Sequence, residues 1–291
     1  MNVTRKPIRG RDNKPIISKS ALNYPQSSPD LPRQYFVAAA VGSRGSGKSF
    51  SVAKLISLYE QSGLRKDGRP VPLRTILICP SATTNAQFAA LRSLDPRDVH
   101  MEYSPELVRD ILDDVAEQRR LAERYQKRLA LWERVGLTSR PSDFSPHERA
   151  ELTAMGWRPP VPEGRYEVPP SVVLILDDLM GSSAFSNAPR NVITNLTIKN
   201  RHLGINVIFC VQALRQLPKV IRANVSLWML YSYKCKSLLN DLYDEVSGVL
   251  TRDAFETVYN EVTSQPYRFL VIDTTVSPTR LKDAFEYDIS M

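Results

Sequence analysis

One segment near the amino end of this 291-residue chain constrains its fold more than any other. The apolar run from Tyr35 to Val41 leads into GSRGSGKS, residues 42–49, which matches the phosphate-binding pattern G-x-x-x-x-G-K-[ST] at every fixed position. Apolar residues at helical spacing follow: Phe50, Val52, Leu55, Ile56 and Leu58. A buried strand, a glycine-rich turn and a helix in this order predict an α/β fold of the P-loop NTPase type (RecA-like), with a mainly parallel central sheet flanked by helices.

The residue types of this loop suit the binding of a nucleoside triphosphate such as ATP. Glycines let the backbone turn and point its N–H groups at phosphate oxygens, and the positive end of the following helix adds to the attraction. Lys48 would reach the β- and γ-phosphates, and the Ser49 hydroxyl would bind Mg²⁺. Arg44 occupies no fixed position, so it either lies near the nucleotide or is solvated. The predicted nucleotide site comprises Gly42, Ser43, Arg44, Gly45, Ser46, Gly47, Lys48 and Ser49.

Two acidic residues follow a second apolar run. Val172 to Leu176 is uninterrupted, and Asp177 and Asp178 come directly after it. Ligands bind at the carboxyl ends of strands in open α/β sheets, which favours a role for both carboxylates at the nucleotide. Asp177 would complete the Mg²⁺ shell, and Asp178 would orient or deprotonate a water molecule. The alternative is that these residues only end the strand as a turn or helix cap.

A third apolar run, Val207 to Val211, ends at Gln212. An amide there can hydrogen-bond both a γ-phosphate oxygen and the attacking water, or it can cap the strand end. Arg201 precedes this run and Arg222 follows it, and an arginine supplied across a subunit interface can stabilise the charge of phosphoryl transfer. Either arginine is equally compatible with a surface position or a salt bridge. Since all three strand tips must meet one nucleotide, we expect them to lie close together.

The order of these segments resembles a known family. GSRGSGKS, then VVLILDD, then NRHLGINVIFCVQALRQLPKVIRANV are similar to the viral genome-packaging ATPases of the FtsK–HerA superfamily, of the poxvirus, large-DNA-virus and virophage type. Those proteins carry an Arg-His before the strand that ends in Gln and an Arg-x-Asn after it, matched here by Arg201-His202 and Arg222-Ala223-Asn224. The resemblance covers roughly residues 35–80 and 171–275, and the phosphate loop alone would be generic.

The resemblance implies an ATP-driven, Mg²⁺-dependent translocase that packages double-stranded DNA into a preformed capsid. It implies a homo-oligomeric ring, pentameric or hexameric, that meets capsid or portal and vertex proteins. It assigns the coordination of Mg²⁺ to Asp177, the activation of water to Asp178 and nucleotide sensing to Gln212. Arg201 is the first candidate for the arginine that acts in trans, and Arg222 is the second. The expected location is the cytoplasm or viral factory of an infected host, and also the virion.

Charge is concentrated at the amino end. The chain carries a net charge of +8, and residues 1–33 hold seven of its basic residues against Asp12 and Asp30. These residues are also interrupted by proline, so we predict an N-terminal arm that either is solvated or binds nucleic acid or a neighbouring subunit. Residues 34–291 are predicted as a single ATPase domain. It would contain a helical and loop insertion at about residues 100–170, and a last strand from Tyr267 to Ile272.

Several classes of protein are excluded by what the sequence lacks. The longest apolar run, Tyr35 to Val41, has seven residues, so no segment is long enough to span a membrane. Met1 to Lys19 has no apolar signal-peptide core, and Cys79, Cys210 and Cys235 lie too far apart for a zinc ribbon or disulfide framework. The chain is expected to be intracellular and reduced. Two other functions remain open: a P-loop kinase of a small molecule, and a nucleotide-dependent assembly switch.

Overall fold

The computed structural model describes residues 24–82, 86–137, 140–186, 188, 191–233 and 235–290. Within these residues the strands are β1 (Val37–Val41), β2 (Leu64–Lys66), β3 (Arg69–Val71), β4 (Leu73–Ile78), β5 (Leu94–His100), β6 (Ser171–Asp177), β7 (Ile205–Val211), β8 (Leu227–Tyr231), β9 (Phe269–Asp273), β10 (Arg280–Asp283) and β11 (Tyr287–Ile289). The helices are α1 (Lys48–Ser62), α2 (Ala86–Ala89), α3 (Pro105–Leu137), α4 (Pro146–Ala154), α5 (Val192–Leu203), α6 (Lys219–Arg222), α7 (Lys236–Val246) and α8 (Arg252–Val262).

One large sheet organises the molecule. Its strand order is β11-β10-β9-β8-β1-β7-β6-β4-β5. The six strands from β8 to β5 run parallel to one another. The strands β9, β10 and β11 join beside β8 in antiparallel pairs. Strands β2 and β3 form a separate hairpin. The mainly parallel sheet confirms the predicted fold class.

The central strands are apolar on both faces because helices cover both faces of the sheet. Every residue of β6 and β7 is buried, which is typical of parallel strands in α/β proteins. Alternate residues of β1 divide between two cores. Val37, Ala39 and Val41 pack on the side of α3, α5, α7 and α8. Ala38 and Ala40 pack on the side of α1.

The segment predicted as an insertion includes a long helix, α3, and a short one, α4. The amino-terminal part of α3 belongs to the main core through Val108, Ile111 and Val115. The distal part packs with α4 around a small separate cluster of Leu131, Phe144 and Leu152. Arg128 braces this cluster, since its guanidinium contacts Glu151 at 2.6 Å and Glu163 at 2.7 Å. The distal half of α3 is thus supported by its own small core.

The first residues that the structure describes pack against the rest of the fold. Gln26 forms a β-bridge with Arg65, Leu31 is buried, and the Tyr59 hydroxyl donates a hydrogen bond to the carbonyl of Pro32 at 2.5 Å. Residues 1–23 of the predicted arm, with most of its basic side chains, lie outside the described residues. Among the helices that the structure describes, none is long and apolar enough to cross a membrane.

Two features of the sheet depart from the sequence-based expectation. The strand predicted as the last is β9, but β10 and β11 follow it and extend the sheet in antiparallel fashion. The strand β5 was not predicted, because its sequence LDPRDVH contains a proline and three charged residues. It is held by buried charges: Asp98 contacts Arg74 at 2.6 Å and Arg165 at 3.0 Å.

Candidate functional site

The carboxyl ends of β1, β7 and β6 meet at one edge of the sheet. Val41 lies opposite Val211, and Asp177 lies opposite Cys210, so the three strands end at nearly the same level. A cavity of about 790 Å³ opens there. Its lining includes the predicted residues Arg44, Gly45, Gly47, Lys48, Ser49, Asp177, Asp178 and Gln212. The structure therefore brings the phosphate loop, the acidic pair and Gln212 to one place.

Steric constraints explain why the loop has glycine at its two fixed positions, 42 and 47. Gly47 immediately precedes α1 and has φ 95° and ψ 10°. This is a left-handed conformation, which residues with a side chain disfavour. Gly42 is buried beside β8. A Cβ atom at Gly42 would lie 2.6 Å from the Cβ of Tyr231 and 2.8 Å from the Oγ of Ser46. Only glycine therefore fits where the loop leaves β1.

We expect Gly42→Ala to reduce the free energy of unfolding by about 1–3 kcal/mol, because the added methyl group overpacks the junction with Tyr231. Gly136→Ala is the matched control, since a Cβ there would meet no described atom within 4 Å. Gly136 lies in α3, where alanine should stabilise by up to about 1 kcal/mol. Denaturant unfolding of both variants would measure the effect, and equal stabilities would contradict the steric account.

Lys48 is poised inside the loop. Its side chain is largely buried, and its Nζ donates hydrogen bonds to the carbonyls of Gly42 at 2.7 Å and Ser43 at 2.8 Å. Burial lowers the pKa of the Lys48 ammonium, and this is partly offset by the negative charge of Asp177 and Asp178 nearby. The Oγ of Ser46 is buried with no hydrogen-bond partner among the described residues. A cation and an unpaired hydroxyl in a glycine-rich loop fit a phosphate chain.

Ser49 and Asp177 form a pair of oxygen ligands. The Ser49 hydroxyl donates a hydrogen bond to Oδ2 of Asp177 at 2.7 Å. Burial raises the pKa of the Asp177 carboxyl, against the opposing effects of the Ser49 hydrogen bond and the Lys48 charge. No group of three or more His, Cys, Asp or Glu side chains arranged for a metal occurs in the described part of the chain. A hydroxyl and one carboxylate still fit Mg²⁺, which usually completes its shell with substrate phosphates and waters.

Asp178 and Gln212 flank these groups. Asp178 is exposed and has φ 54°, an uncommon conformation that Asp tolerates better than most residues. The backbone of Gln212 is fixed from two sides. Its N–H donates to Oε1 of Gln216 at 3.3 Å, and its carbonyl accepts a hydrogen bond from the Tyr233 hydroxyl. Gln212 thus lines the cavity from a fixed backbone position.

Tyr233 connects Gln212 to the end of β8 and to α8. Its own N–H donates to the hydroxyl of Tyr259 at 2.9 Å, and that hydroxyl donates to the carbonyl of Tyr231 at 2.7 Å. Tyr259 belongs to α8, and Tyr231 is the last residue of β8. These hydrogen bonds would therefore transmit a movement of Gln212 to the segment that follows β8.

We expect Tyr233→Phe to lower kcat for ATP about fivefold while leaving KM unchanged. The variant keeps the ring but loses the hydrogen bond to the Gln212 carbonyl, worth about 1 kcal/mol. Steady-state release of phosphate would measure both constants, with Tyr125→Phe on α3 as a control. An unchanged kcat would show that this hydrogen bond does not position Gln212.

The two candidate arginines lie outside the cavity. Arg201 is in the last turn of α5, before β7 begins, so the length of that strand, roughly 23 Å, separates it from Gln212. It is exposed and lines a second cavity of about 440 Å³ with Lys66, Arg119 and His202. Arg222 ends α6 and contacts Glu245 of α7 at 3.1 Å. Neither arginine lines the nucleotide cavity of its own subunit, and a role in trans stays a prediction.

The residues at the site that were missed by sequence reasoning include Phe50, Gln216, Tyr233 and Tyr267. Phe50 and Tyr267 line the nucleotide cavity, as does Gln216. Phe50 directly follows the loop, which is the one sequence signal that could have found it. The others come from segments whose approach depends on the path of the chain after β7 and β8. No local pattern marks them.

No family model matches this chain, and no curated protein is significantly similar to it in sequence. Similar solved structures include the genome packaging NTPase B204 from Sulfolobus turreted icosahedral virus 2 in complex with ATP-gammaS, at 13% identity and a TM-score of 0.45, covering 86% of this chain and 97% of that chain.

Two further similar structures are bacterial. The cytoplasmic domain of the Type VII secretion ATPase EccC from Thermomonospora curvata has 15% identity and a TM-score of 0.41, over 85% of this chain and 25% of that chain. EssC (ATPases 2 and 3) from Geobacillus thermodenitrificans has 12% identity and a TM-score of 0.46, over 88% of this chain and 41% of that chain. At these identities the likeness concerns the fold.

Proposed function

We propose that this chain is an ATP-driven translocase of double-stranded DNA that packages a viral genome into a preformed capsid. One observation carries the ATPase part of the proposal. The loop lysine, the Ser49–Asp177 pair, Asp178 and Gln212 all meet in one cavity at the carboxyl edge of a parallel sheet. The DNA and capsid parts depend on the resemblance of the three strand-tip motifs to the packaging ATPases.

Each side chain has a distinct task in hydrolysis. Lys48 exchanges its two loop carbonyls for phosphate oxygens and offsets their charge. Ser49 and Asp177 would hold Mg²⁺, which supplies charge neutralisation at the phosphates when bound. Asp178, exposed at the cavity, accepts a proton from the attacking water. Gln212 orients that water through its amide and registers the loss of the γ-phosphate.

In the proposed motor, ATP hydrolysis is coupled to DNA by a ring of subunits. We place Arg201, with Arg222 as the second choice, at the nucleotide of a neighbouring copy in a pentameric or hexameric ring. Arg201 is exposed and lies at the edge of the sheet opposite the nucleotide cavity of its own subunit. This position supports the assignment. In the same proposal the basic arm of residues 1–33 contacts DNA or the next subunit, and the ring meets capsid or portal and vertex proteins inside the infected cell or in the virion.

Stimulation of ATP hydrolysis by DNA tests the proposal. We expect purified protein to release phosphate faster when duplex DNA is added, and the stimulation to fall steeply between low and moderate salt, since contacts to DNA phosphates release counterions. A rate indifferent to DNA at every ionic strength would contradict the DNA part of the proposal. Transfer of the γ-phosphate to a small molecule, in place of free phosphate, would instead identify a kinase.

A further inference from the structure

Two exposed aromatic side chains line the nucleotide cavity without any part in phosphate chemistry. Phe50 is 61% exposed and Tyr267 is 71% exposed, although both are large and apolar. Phe50 lies in the first turn of α1, next to Ser49. Tyr267 comes from a segment far away in sequence. Their common location needs an explanation, because the phosphate loop and the acidic pair account for only the polar part of the cavity.

Sheet topology explains how Tyr267 reaches the loop. The strand β9 runs antiparallel to β8, so its amino end lies at the edge of the sheet where the parallel strands end. Tyr267 stands two residues before β9 and therefore lies at that edge. A Cβ atom at Gly47 would lie 3.4 Å from Cδ1 of Tyr267 and 3.8 Å from its Cβ. The tyrosine ring thus lies against the last glycine of the phosphate loop.

The backbone holds Tyr267 in an unfavourable conformation. Its φ is 65°, which is rare for a bulky residue. The next residue anchors this segment: the Arg268 guanidinium contacts Asp283 and Glu286, each at 2.6 Å. Neighbouring ion pairs therefore maintain a strained backbone that presents an exposed aromatic ring to the cavity. Such outliers are found at ligand-binding positions.

We propose that Tyr267 is the stacking platform for the base of the bound nucleotide, with Phe50 bordering the same space. This inference rests on the proposed nucleotide site. An aromatic ring recognises a base by its face, which every base presents. The nearby carboxylate of Glu286 is already engaged by Lys54 at 2.5 Å and by Arg268 at 2.6 Å, so it offers little to the edge of the base. A site that recognises the base by stacking alone would accordingly accept guanine as well as adenine.

Competition between ATP and inorganic tripolyphosphate tests this proposal, because only ATP carries a base. We expect Tyr267→Ala to weaken ATP binding about tenfold and to leave tripolyphosphate binding unchanged. Alanine keeps the same backbone constraint at positive φ, since it too has a Cβ. Tyr267→Phe should bind ATP like the wild type, because stacking needs the ring and not the hydroxyl. GTP should bind wild-type protein about as tightly as ATP.

Tyr287→Ala is the matched control. Tyr287 is 64% exposed and lies beside the Arg268 guanidinium, 5.5 Å from the ring centre, but it does not line the cavity. An equal loss of ATP binding in both alanine variants would assign the effect to Arg268 and overturn the proposal. Wild-type affinity for ATP in Tyr267→Ala would overturn it as well, with the nucleotide site intact. If wild-type protein bound neither ATP nor tripolyphosphate, that result would contradict the proposed nucleotide site itself.

Discussion

Lys48→Ala should reduce the hydrolysis of ATP about 10²–10³-fold, the usual cost of removing one preorganised donor from a phosphoryl-transfer or acyl-transfer site. The expected loss is large because the Lys48 ammonium is buried in the loop, where its charge is poorly screened by water. Its two hydrogen bonds to loop carbonyls keep it in place. Phosphate release at saturating ATP and direct measurement of ATP binding would separate the loss of catalysis from the loss of affinity.

Lys127→Ala provides the control for this substitution. Lys127 is exposed on the distal part of α3, outside the nucleotide cavity, so the same change of residue should leave the rate unaltered. Lys48→Ala should also keep its fold, because Lys48 belongs to neither apolar core of the sheet. A Lys48→Ala protein with normal unfolding and wild-type hydrolysis would show that the loop is not the catalytic phosphate site.

Asp178→Asn should bind ATP normally and hydrolyse it about 10²–10⁴-fold more slowly, the range expected for the loss of a general base. The amide has nearly the same shape as the carboxylate and can still orient a water molecule, but it cannot accept the proton. Because Asp178 is exposed and is not part of the Ser49–Asp177 hydrogen bond, its substitution should leave that pair in place. Equilibrium binding of ATP and single-turnover hydrolysis would measure the two quantities.

Asp113→Asn is the matched control for the loss of a carboxylate. Asp113 is exposed on α3 and lies outside the cavity, so we expect a wild-type rate. The same pair of variants also tests the assembly-switch alternative, in which nucleotide binding alone would suffice. If Asp178→Asn retained full biological activity in spite of stalled hydrolysis, the chain would be a switch and not a motor.

The strand tips at this site could be predicted because each is encoded locally. An apolar run followed by a polar residue predicts both a buried parallel strand and the side chain at its carboxyl end. Such runs lead to Asp177 and Gln212, and a third apolar run leads to Gly42 of the phosphate loop. The structure places them at one edge, since β7 lies between β1 and β6. The loop also predicts its own helix, because the pattern requires α1 to start at Lys48.

The rest depended on contacts between distant parts of the chain. An apolar run such as that of β9 does not encode the direction in which the strand will run. The antiparallel pairing with β8 is what brings Tyr267 to the phosphate loop. The sequence does not reveal the strand β5 for a different reason: its charged residue Asp98 is compensated by Arg74 of β4 and by Arg165 of the segment before β6. The positions of Arg201 and Arg222 relative to a neighbouring nucleotide depend on a second copy of the chain.

Displacement of a third strand from a DNA triplex by the protein tests the central claim most directly. In this assay a translocating motor strips the annealed oligonucleotide as it advances along the duplex. We predict displacement by the wild type with ATP, and none with Asp178→Asn or with a slowly hydrolysed ATP analogue. Hydrolysis of ATP by the wild type without any displacement, under conditions where it binds the duplex, would contradict the assignment as a DNA translocase.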